Sequence, residues 1–158
     1  MIKIKDNFLD PFLFFNIKKE MMGKYFPWFY NDCKIEEGDE YFQFIHFFYK
    51  DNVITSKYFD MLKPLIEKLK VKSLVRVKGN LTTRDIKIKP FGYHVDAPFK
   101  CKTALLYINN NNGITLFERG KKIESKENRM VTFPSNTKHT GTTHTDEKVR
   151  VVLNINYF

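Results

Sequence analysis

The chain has 158 residues and a formal net charge of +9, so one domain spanning residues 1–158 with a single hydrophobic core is expected. Hydrophobic residues make up 42% and charged residues 28%, which excludes a disordered chain. No stretch approaches the roughly 18 apolar residues of a membrane span, and the charged start argues against a secretory signal. The two cysteines, Cys33 and Cys101, are expected to be reduced thiols in a cytoplasmic protein.

The first half of the sequence predicts two helices and two strands. The pair Asp10-Pro11 is a good helix start, so a first helix is expected from there to about Met22, just before a glycine. A second helix is expected over residues 56–69, where apolar residues recur at helical spacing, and Pro64 should kink or split it. The strands are expected over residues 27–30 and 41–49.

The second half predicts a run of short strands. Clusters rich in Asn, Gly, Pro and Ser separate apolar segments, as expected for turns between strands. Helices followed by many short strands indicate an α+β protein whose second half is a sandwich or barrel. The strands are expected over residues 74–78, 93–96, 103–109, 114–118, 129–133 and 149–158.

The triplet His94-Val95-Asp96 is the clearest candidate for chemistry. On a strand, residues i and i+2 point to the same face, so this imidazole and this carboxylate would project together. Together they supply two of the three ligands of the 2-His-1-carboxylate triad that binds non-haem Fe(II). The triplet alone is weak evidence, because it occurs by chance in many chains.

His139 and Arg150 strengthen that interpretation, with ten residues between them. Arg150 falls on the last predicted strand, on the face it shares with Val152 and Asn154. A buried arginine needs an anion, and its guanidinium matches a carboxylate well. The alternatives are a salt bridge from Arg150 to Glu118, and a surface loop position for His139.

In this order the motifs resemble the 2-oxoglutarate/Fe(II) oxygenase superfamily, in its prolyl-4-hydroxylase-like branch. The stretch TALLYINNNNGITLFE is similar to that branch where one strand leads through a glycine turn to the next, and NRMVTFPSNTKHTG is similar to its approach to the distal histidine. With PWFY, RVKGN and NINYF, the chain looks closest to small members encoded by phages. The resemblance covers about residues 74–158 well and implies a double-stranded β-helix (jelly-roll) core with N-terminal supporting helices.

The resemblance also implies roles for individual residues. His94, Asp96 and His139 would bind Fe(II), and Arg150 would hold the distal carboxylate of 2-oxoglutarate. Tyr107 falls where this branch often places a hydroxyl on the same carboxylate, although a core aromatic is an equal alternative. With O₂, such a hydroxylase releases succinate and CO₂. Asp96 excludes the halogenase variant, which has a small residue there.

Other interpretations remain open at this point. His144 and His46 are rivals for the distal ligand, and both are expected to be structural. A nucleic-acid demethylase of the same superfamily is a second candidate, although the last strand lacks the second arginine that is typical of that group. A non-catalytic binding module is a third. A peptide or small molecule is the expected substrate, and no membrane partner is expected. If the protein is encoded by a phage, its expected location is the host cytoplasm. Hydrolase, P-loop and zinc-finger motifs are absent from the sequence.

Positive charge is concentrated between Lys63 and Lys102, where eleven basic residues stand against three acidic ones. This segment leads into the His94 triplet. We therefore expect it to border the opening of the site and to attract an anionic partner, unless it is only a solvated surface.

Overall fold

A computed structural model describes residues 1–35 and 37–158, which form eleven strands, two α-helices and one 3₁₀ segment. The helices are α1 (Pro11–Met21) and α2 (Lys63–Lys68), and the 3₁₀ segment covers Phe59–Leu62. The strands are β1 (Lys3–Lys5), β2 (Phe29–Asn31), β3 (Gln43–Lys50), β4 (Val53–Ile54), β5 (Leu74–Thr83), β6 (Lys102–Tyr107), β7 (Asn111–Phe117), β8 (Lys122–Ser125), β9 (Met130–Pro134), β10 (His139–Gly141) and β11 (Val149–Tyr157).

The strands form a large and a small antiparallel sheet. The large sheet has the order β1-β9-β6-β11-β5-β3-β2, with β4 paired to β3. The small sheet has the order β10-β7-β8. Non-sequential neighbours in both sheets are the arrangement of a jelly-roll sandwich. The predicted β-rich second half is therefore confirmed, and the protein as a whole is mostly antiparallel sheet with few helices.

Two apolar cores lie on opposite faces of the large sheet. The outer core joins β11 and β6 to residues of α1, the 3₁₀ segment and α2, including Ile17 and Leu65. The inner core lies between the two sheets, where Val152 and Leu105 meet Phe117 of β7. Strand β11 alternates as predicted, with its odd-numbered residues in the outer core and its even-numbered ones facing the small sheet. Polar side chains on this inner face build the site.

The first predicted helix is confirmed, with Asp10 accepting hydrogen bonds from the backbone N–H groups of Phe12 and Leu13. The prediction for residues 56–69 is wrong at its start, since the helical structure begins only at Phe59. The split expected at Pro64 is confirmed, because a 3₁₀ segment precedes α2 and Pro64 stands in the first turn of that helix. The hydroxyl of Ser56 accepts from the backbone N–H of Tyr58, which keeps this region as a turn.

The prediction of a strand over residues 93–96 is wrong. Within the described chain, this segment makes one isolated bridge, from His94 to His139, and Pro90 before it makes another to Thr142. The strands that the sequence did not predict are β1, β4, β8 and β10, each four residues or fewer and too short to show a period. Cys33 and Cys101 are free thiols. In the part of the chain that the structure describes, every helix is too short or too polar to cross a membrane.

Candidate metal and co-substrate site

His94, Asp96 and His139 meet between the two sheets, and their ligand atoms all lie within 4.8 Å of one another. His139 is the first residue of β10, whereas His94 and Asp96 lie in the segment between β5 and β6. The backbone N–H of His94 donates to the carbonyl of His139, and the reverse bond forms as well, both at 3.0 Å. A two-way backbone bridge, rather than a strand, therefore sets this side-chain geometry.

Backbone carbonyls orient both imidazoles. Nδ1 of His139 lies 2.9 Å from the carbonyl oxygen of Thr137, and Nδ1 of His94 lies 3.3 Å from that of Gly92. A carbonyl can only accept, so Nδ1 carries the proton and Nε2 presents its lone pair. Burial, and then the neighbouring His139, lower the pKa of His94 and favour the neutral form that binds a metal.

Asp96 is held as a carboxylate by neighbours from three strands. Oδ2 accepts a 2.8 Å hydrogen bond from the hydroxyl of Thr103, and Oδ1 accepts from Asn154 at 3.0 Å and from Arg76 at 3.3 Å. Burial alone would raise the pKa of Asp96, but His139 and these three side chains hold it below its usual value. Asp96 therefore stays ionised in a buried position, as a metal ligand must.

Arg150 is a buried cation surrounded by hydroxyl groups. Only 7% of it is exposed, and it donates to Ser125 at 2.9 Å and to Thr115 at 3.3 Å. The predicted alternative partner, Glu118, is instead paired with Lys138 on the surface at 3.4 Å. Among the described residues, no carboxylate forms an ion pair with Arg150. Burial lowers its pKa, but a guanidinium remains charged at any ordinary pH, so Arg150 is suited to bind an anion.

Tyr107 lies beside this guanidinium and is fully buried. Its ring centroid is 5.7 Å from the central carbon of the Arg150 guanidinium, and its hydroxyl donates to Thr115 at 2.7 Å. Tyr107 is therefore a core aromatic whose hydroxyl is linked to Arg150 through the shared Thr115, and its contact with a co-substrate carboxylate stays a prediction.

One cavity of about 100 Å³ joins the metal-ligand cluster to Arg150. Buried polar atoms in its wall lack partners within the described chain, namely Oγ1 of Thr82 and Oδ1 of Asn154. Thr82 lies opposite Arg150 in the β5–β11 register, and Asn154 holds Asp96. Unsatisfied buried groups at both ends of one cavity indicate a ligand with polar atoms at both ends. The cavity is lined by Lys34, Gln43, Lys78, Asn80, Thr82, His94, Asp96, Leu105, Thr115, His139, Gly141, Arg150, Val152 and Asn154.

Two lysines also reach this cavity. Lys34 comes from the segment between β2 and β3, and its ammonium lies 3.5 Å from the ring centroid of Phe91. Burial, then Arg150 and Lys78, lower the pKa of Lys34 well below its usual value, against an opposing effect of Asp39. Burial, then Arg76, lower the pKa of Lys78 to about 8. Several cationic side chains therefore lie close together at this site, and they lower the pKa of the two lysines.

The other two histidines lie outside the cluster. His46 is buried, with Nδ1 2.7 Å from the carbonyl oxygen of Pro27 and Nε2 2.7 Å from the hydroxyl of Ser56. His144 is fully buried, and its ring nitrogens have no hydrogen-bond partner among residues 1–35 and 37–158. Among the described residues, the side-chain group that could hold a metal includes neither His46 nor His144. The geometry agrees with the structural roles expected for both.

Most of the basic segment does not face the site. Of its members, Lys78 lines the cavity, and Arg76 contacts Asp96 from behind. Lys63 and Lys89 form surface ion pairs with Asp60 and Asp85, at 2.8 and 3.7 Å. The expectation that this whole segment borders the opening is therefore too broad.

Comparison with known proteins gives structural matches only. No family model and no curated protein sequence matches the chain. A Pseudomonas putida prolyl-4-hydroxylase structure matches at 12% identity and a TM-score of 0.68, covering 99% of this chain and 91% of that one. A Trichoplax adhaerens prolyl hydroxylase, in complex with a hypoxia inducible factor oxygen degradation domain peptide fragment, matches at 14% identity and 0.70, with 99% and 83% coverage.

A Burkholderia pseudomallei oxidoreductase of the 2OG-Fe(II) oxygenase family is similar at 10% identity and a TM-score of 0.71, covering 99% of this chain and 84% of that one. The three matches span nearly the whole chain, including the helical first half that the sequence resemblance covered only loosely. The chain therefore has the fold of prolyl hydroxylases and related 2-oxoglutarate/Fe(II) oxygenases.

Proposed function

We propose that this protein is an Fe(II)- and 2-oxoglutarate-dependent dioxygenase that hydroxylates a peptidyl side chain of the prolyl type. One observation carries the proposal: a buried arginine, with no carboxylate partner among the residues that the structure describes, shares a small cavity with two oriented imidazoles and one carboxylate. That donor set suits Fe(II), and the arginine suits the distal carboxylate of 2-oxoglutarate.

Each side chain has a defined part in this proposal. His94, Asp96 and His139 would hold the metal, and a triad of this kind would leave positions for co-substrate and O₂. Bound iron would activate O₂. In the overall reaction a substrate C–H bond becomes C–OH, while O₂ and 2-oxoglutarate are converted to the hydroxyl oxygen, succinate and CO₂. Arg150 neutralises and orients the co-substrate, with Thr82 and Tyr107 beside it. Thr103, Asn154 and Arg76 fix the carboxylate of Asp96.

The preference for a peptide substrate comes from structural similarity. One matching prolyl hydroxylase is in complex with a peptide fragment. Fold similarity is a weak guide to substrate, so this part of the proposal needs direct measurement.

The test has two stages. Without oxygen, the protein with Fe(II) and 2-oxoglutarate should develop the visible charge-transfer absorption of an iron–2-oxo acid chelate. With oxygen, succinate formation should be stimulated by prolyl peptides, whose mass increases by one oxygen atom. A chelate without stimulation by any peptide would reject the peptide assignment, and the absence of a chelate would reject the oxygenase assignment.

A further inference from the structure

We propose that the substrate carries a carboxylate close to the carbon that is oxidised, and that Lys34 and Lys78 bind this carboxylate. The inference rests on the proposed function, because it concerns the substrate of the same site. It begins from two lysines in the wall of the cavity that form no ion pair with an acidic side chain of the described chain.

The positions of Arg150 and Lys78 assign these two cations to different partners, and Lys34 lines the same cavity near both. In the β5–β11 register Arg150 lies opposite Thr82, whereas Lys78 lies opposite Asn154, four residues further along. At about 3.3 Å per residue the two rungs are roughly 13 Å apart. Asn154 in turn donates to Asp96, so Lys78 stands at the metal end of the cavity and Arg150 at the opposite end.

When the charges of the site are paired, Lys34 and Lys78 are the cations that no other described group of the site neutralises. Arg76 is paired with Asp96, Arg150 matches one carboxylate of 2-oxoglutarate, and the metal would take up the other. Within the described chain, no acidic side chain forms an ion pair with Lys34 or Lys78. Ammonium groups that are half-buried together repel each other, which is unfavourable unless an anion binds between them.

The surroundings indicate a small anion rather than a polyanion. Phe91 covers the ammonium of Lys34 at 3.5 Å, and the cavity holds only about 100 Å³. Lys63 and Lys89 are bound in surface ion pairs elsewhere, so the structure offers no continuous basic track to the site from them. A carboxylate is small enough to contact both lysines and to place the neighbouring carbon near the metal. It could be the α-carboxylate of a free or terminal residue, or the side chain of an acidic residue beside the target.

Two matched pairs of probes distinguish these sources. The first is N-acetyl-L-proline against its neutral amide, and the second is the blocked tripeptide acetyl-Ala-Pro-Asp-amide against its Asn counterpart. Binding is measured by calorimetry without oxygen, on protein loaded with Fe(II) and saturating 2-oxoglutarate. At least one acid is expected to bind about 10-fold or more tightly than its neutral partner, because charge-assisted hydrogen bonds are stronger than neutral ones. Which pair shows the preference identifies the source of the carboxylate.

Variants then assign the preference to the lysines. Lys78→Met and Lys34→Met should each remove the preference for the acid, while the iron–2-oxoglutarate absorption stays intact. Lys78→Glu should reverse the preference if Lys78→Met proves unstable. Lys122→Met is the matched control, because Lys122 is an exposed strand lysine of β8.

Each alternative result has a distinct meaning. Equal binding of acid and amide in both pairs, or binding of neither, overturns the proposal. A loss of the iron–2-oxoglutarate absorption in Lys78→Met, with the acid preference retained, also overturns it, since the lysine would then serve the co-substrate. If wild-type protein forms no such absorption yet prefers the acid, the carboxylate site stands and the oxygenase assignment fails.

Discussion

Nη2 of Arg76 lies 3.3 Å from Oδ1 of Asp96, so an arginine on β5 contacts the candidate metal ligand from the side away from the imidazoles. Nε of the same arginine donates to Asn156 at 3.1 Å, which fixes the guanidinium. Arg76 therefore positions the carboxylate and helps to keep it ionised.

Arg76→Met is expected to weaken Fe(II) binding by about 10- to 100-fold, because partners of a ligating carboxylate orient it and stabilise its charge. Competition with a coloured chelator measures the affinity. Arg119→Met, at an exposed turn position, is the control and should leave the affinity unchanged. Equal iron binding by the two variants would show that Asp96 needs no support from Arg76.

The distal histidine is tested by comparing two substitutions. His139→Ala should abolish stable Fe(II) binding, whereas His144→Ala should retain it, since His139 alone of the two lies in the three-ligand group. Because His144 is fully buried, its variant should lose thermal stability instead. Iron affinity and melting temperature together separate the two roles. Loss of iron by His144→Ala with retention by His139→Ala would reverse the assignment.

Arg150→Ala is expected to raise the KM for 2-oxoglutarate by about 10- to 100-fold, because it removes a buried charge-assisted contact. Tyr107→Phe should have a milder effect in the same direction, since its hydroxyl acts through Thr115. Titration of the iron-loaded protein with 2-oxoglutarate without oxygen gives the affinity independently of turnover. An unchanged affinity in Arg150→Ala would exclude the carboxylate role.

Gly113 allows the side chain of Arg150 to pass close to β7. A Cβ at this position would lie 2.9 Å from Cδ of Arg150 and 2.9 Å from Oδ1 of Asn111. Gly113→Ala should therefore displace the guanidinium and weaken 2-oxoglutarate binding by about 10-fold or more, with iron affinity unchanged. If both affinities stayed at the wild-type level, the position of the guanidinium would not matter for co-substrate binding.

Asp6 links the segment after β1 to the turn before β9. Its carboxylate accepts hydrogen bonds from Arg129 at 2.6 and 3.1 Å and from Lys126 at 3.0 Å, and these cations hold the pKa of Asp6 well below its usual range. Asp6→Asn should lower the free energy of unfolding at pH 7 by about 1 kcal/mol, a modest value because the side chain is about one third exposed.

The pH dependence of that loss follows from the direction of the pKa shift. The pKa of Asp6 is lower in the folded protein than in the unfolded chain, where it is near 4. The carboxylate therefore stabilises the fold fully at pH values above about 4, and this stabilisation declines as the pH falls below that value. The difference between wild type and Asp6→Asn should thus be constant from about pH 5 to 8 and shrink towards pH 2. Urea denaturation at several pH values measures it, and a difference that grew in acid would contradict the proposed ion pair.

The sequence was sufficient to single out His94, Asp96 and His139, which the structure brings together, and to predict the inward orientation of Arg150, because short motifs and a two-residue strand period carry that information. It could not show Thr103, Arg76 and Asn154 around Asp96, since their meeting depends on the mutual register of β5, β6 and β11. The predicted strand at His94 was wrong for a similar reason: a single long-range bridge sets that backbone.

The sequence did not predict that Lys34 lines the cavity, because it lies in an irregular segment sixty residues before His94. Its place in the cavity depends on Asp39, whose carboxylate accepts from the backbone N–H groups of Lys34 and Ile35 at 3.0 and 2.7 Å. Such an Asp-centred turn is common in loops and gives no hint of which cavity a neighbouring side chain will reach.

The reciprocal backbone bonds between His94 and His139 also predict how the protein behaves when the proposed metal ion is removed. Main-chain hydrogen bonds connect His94 and His139, and Asp96 accepts hydrogen bonds from Thr103, Asn154 and Arg76. Hydrogen bonds within the chain therefore define the site without a metal ion. A chelating agent should therefore strip the ion and leave a folded apoprotein, unlike zinc-finger domains that unfold when metal is removed. Such an apoprotein could be reloaded with different divalent ions, and each would stabilise it only by mass action.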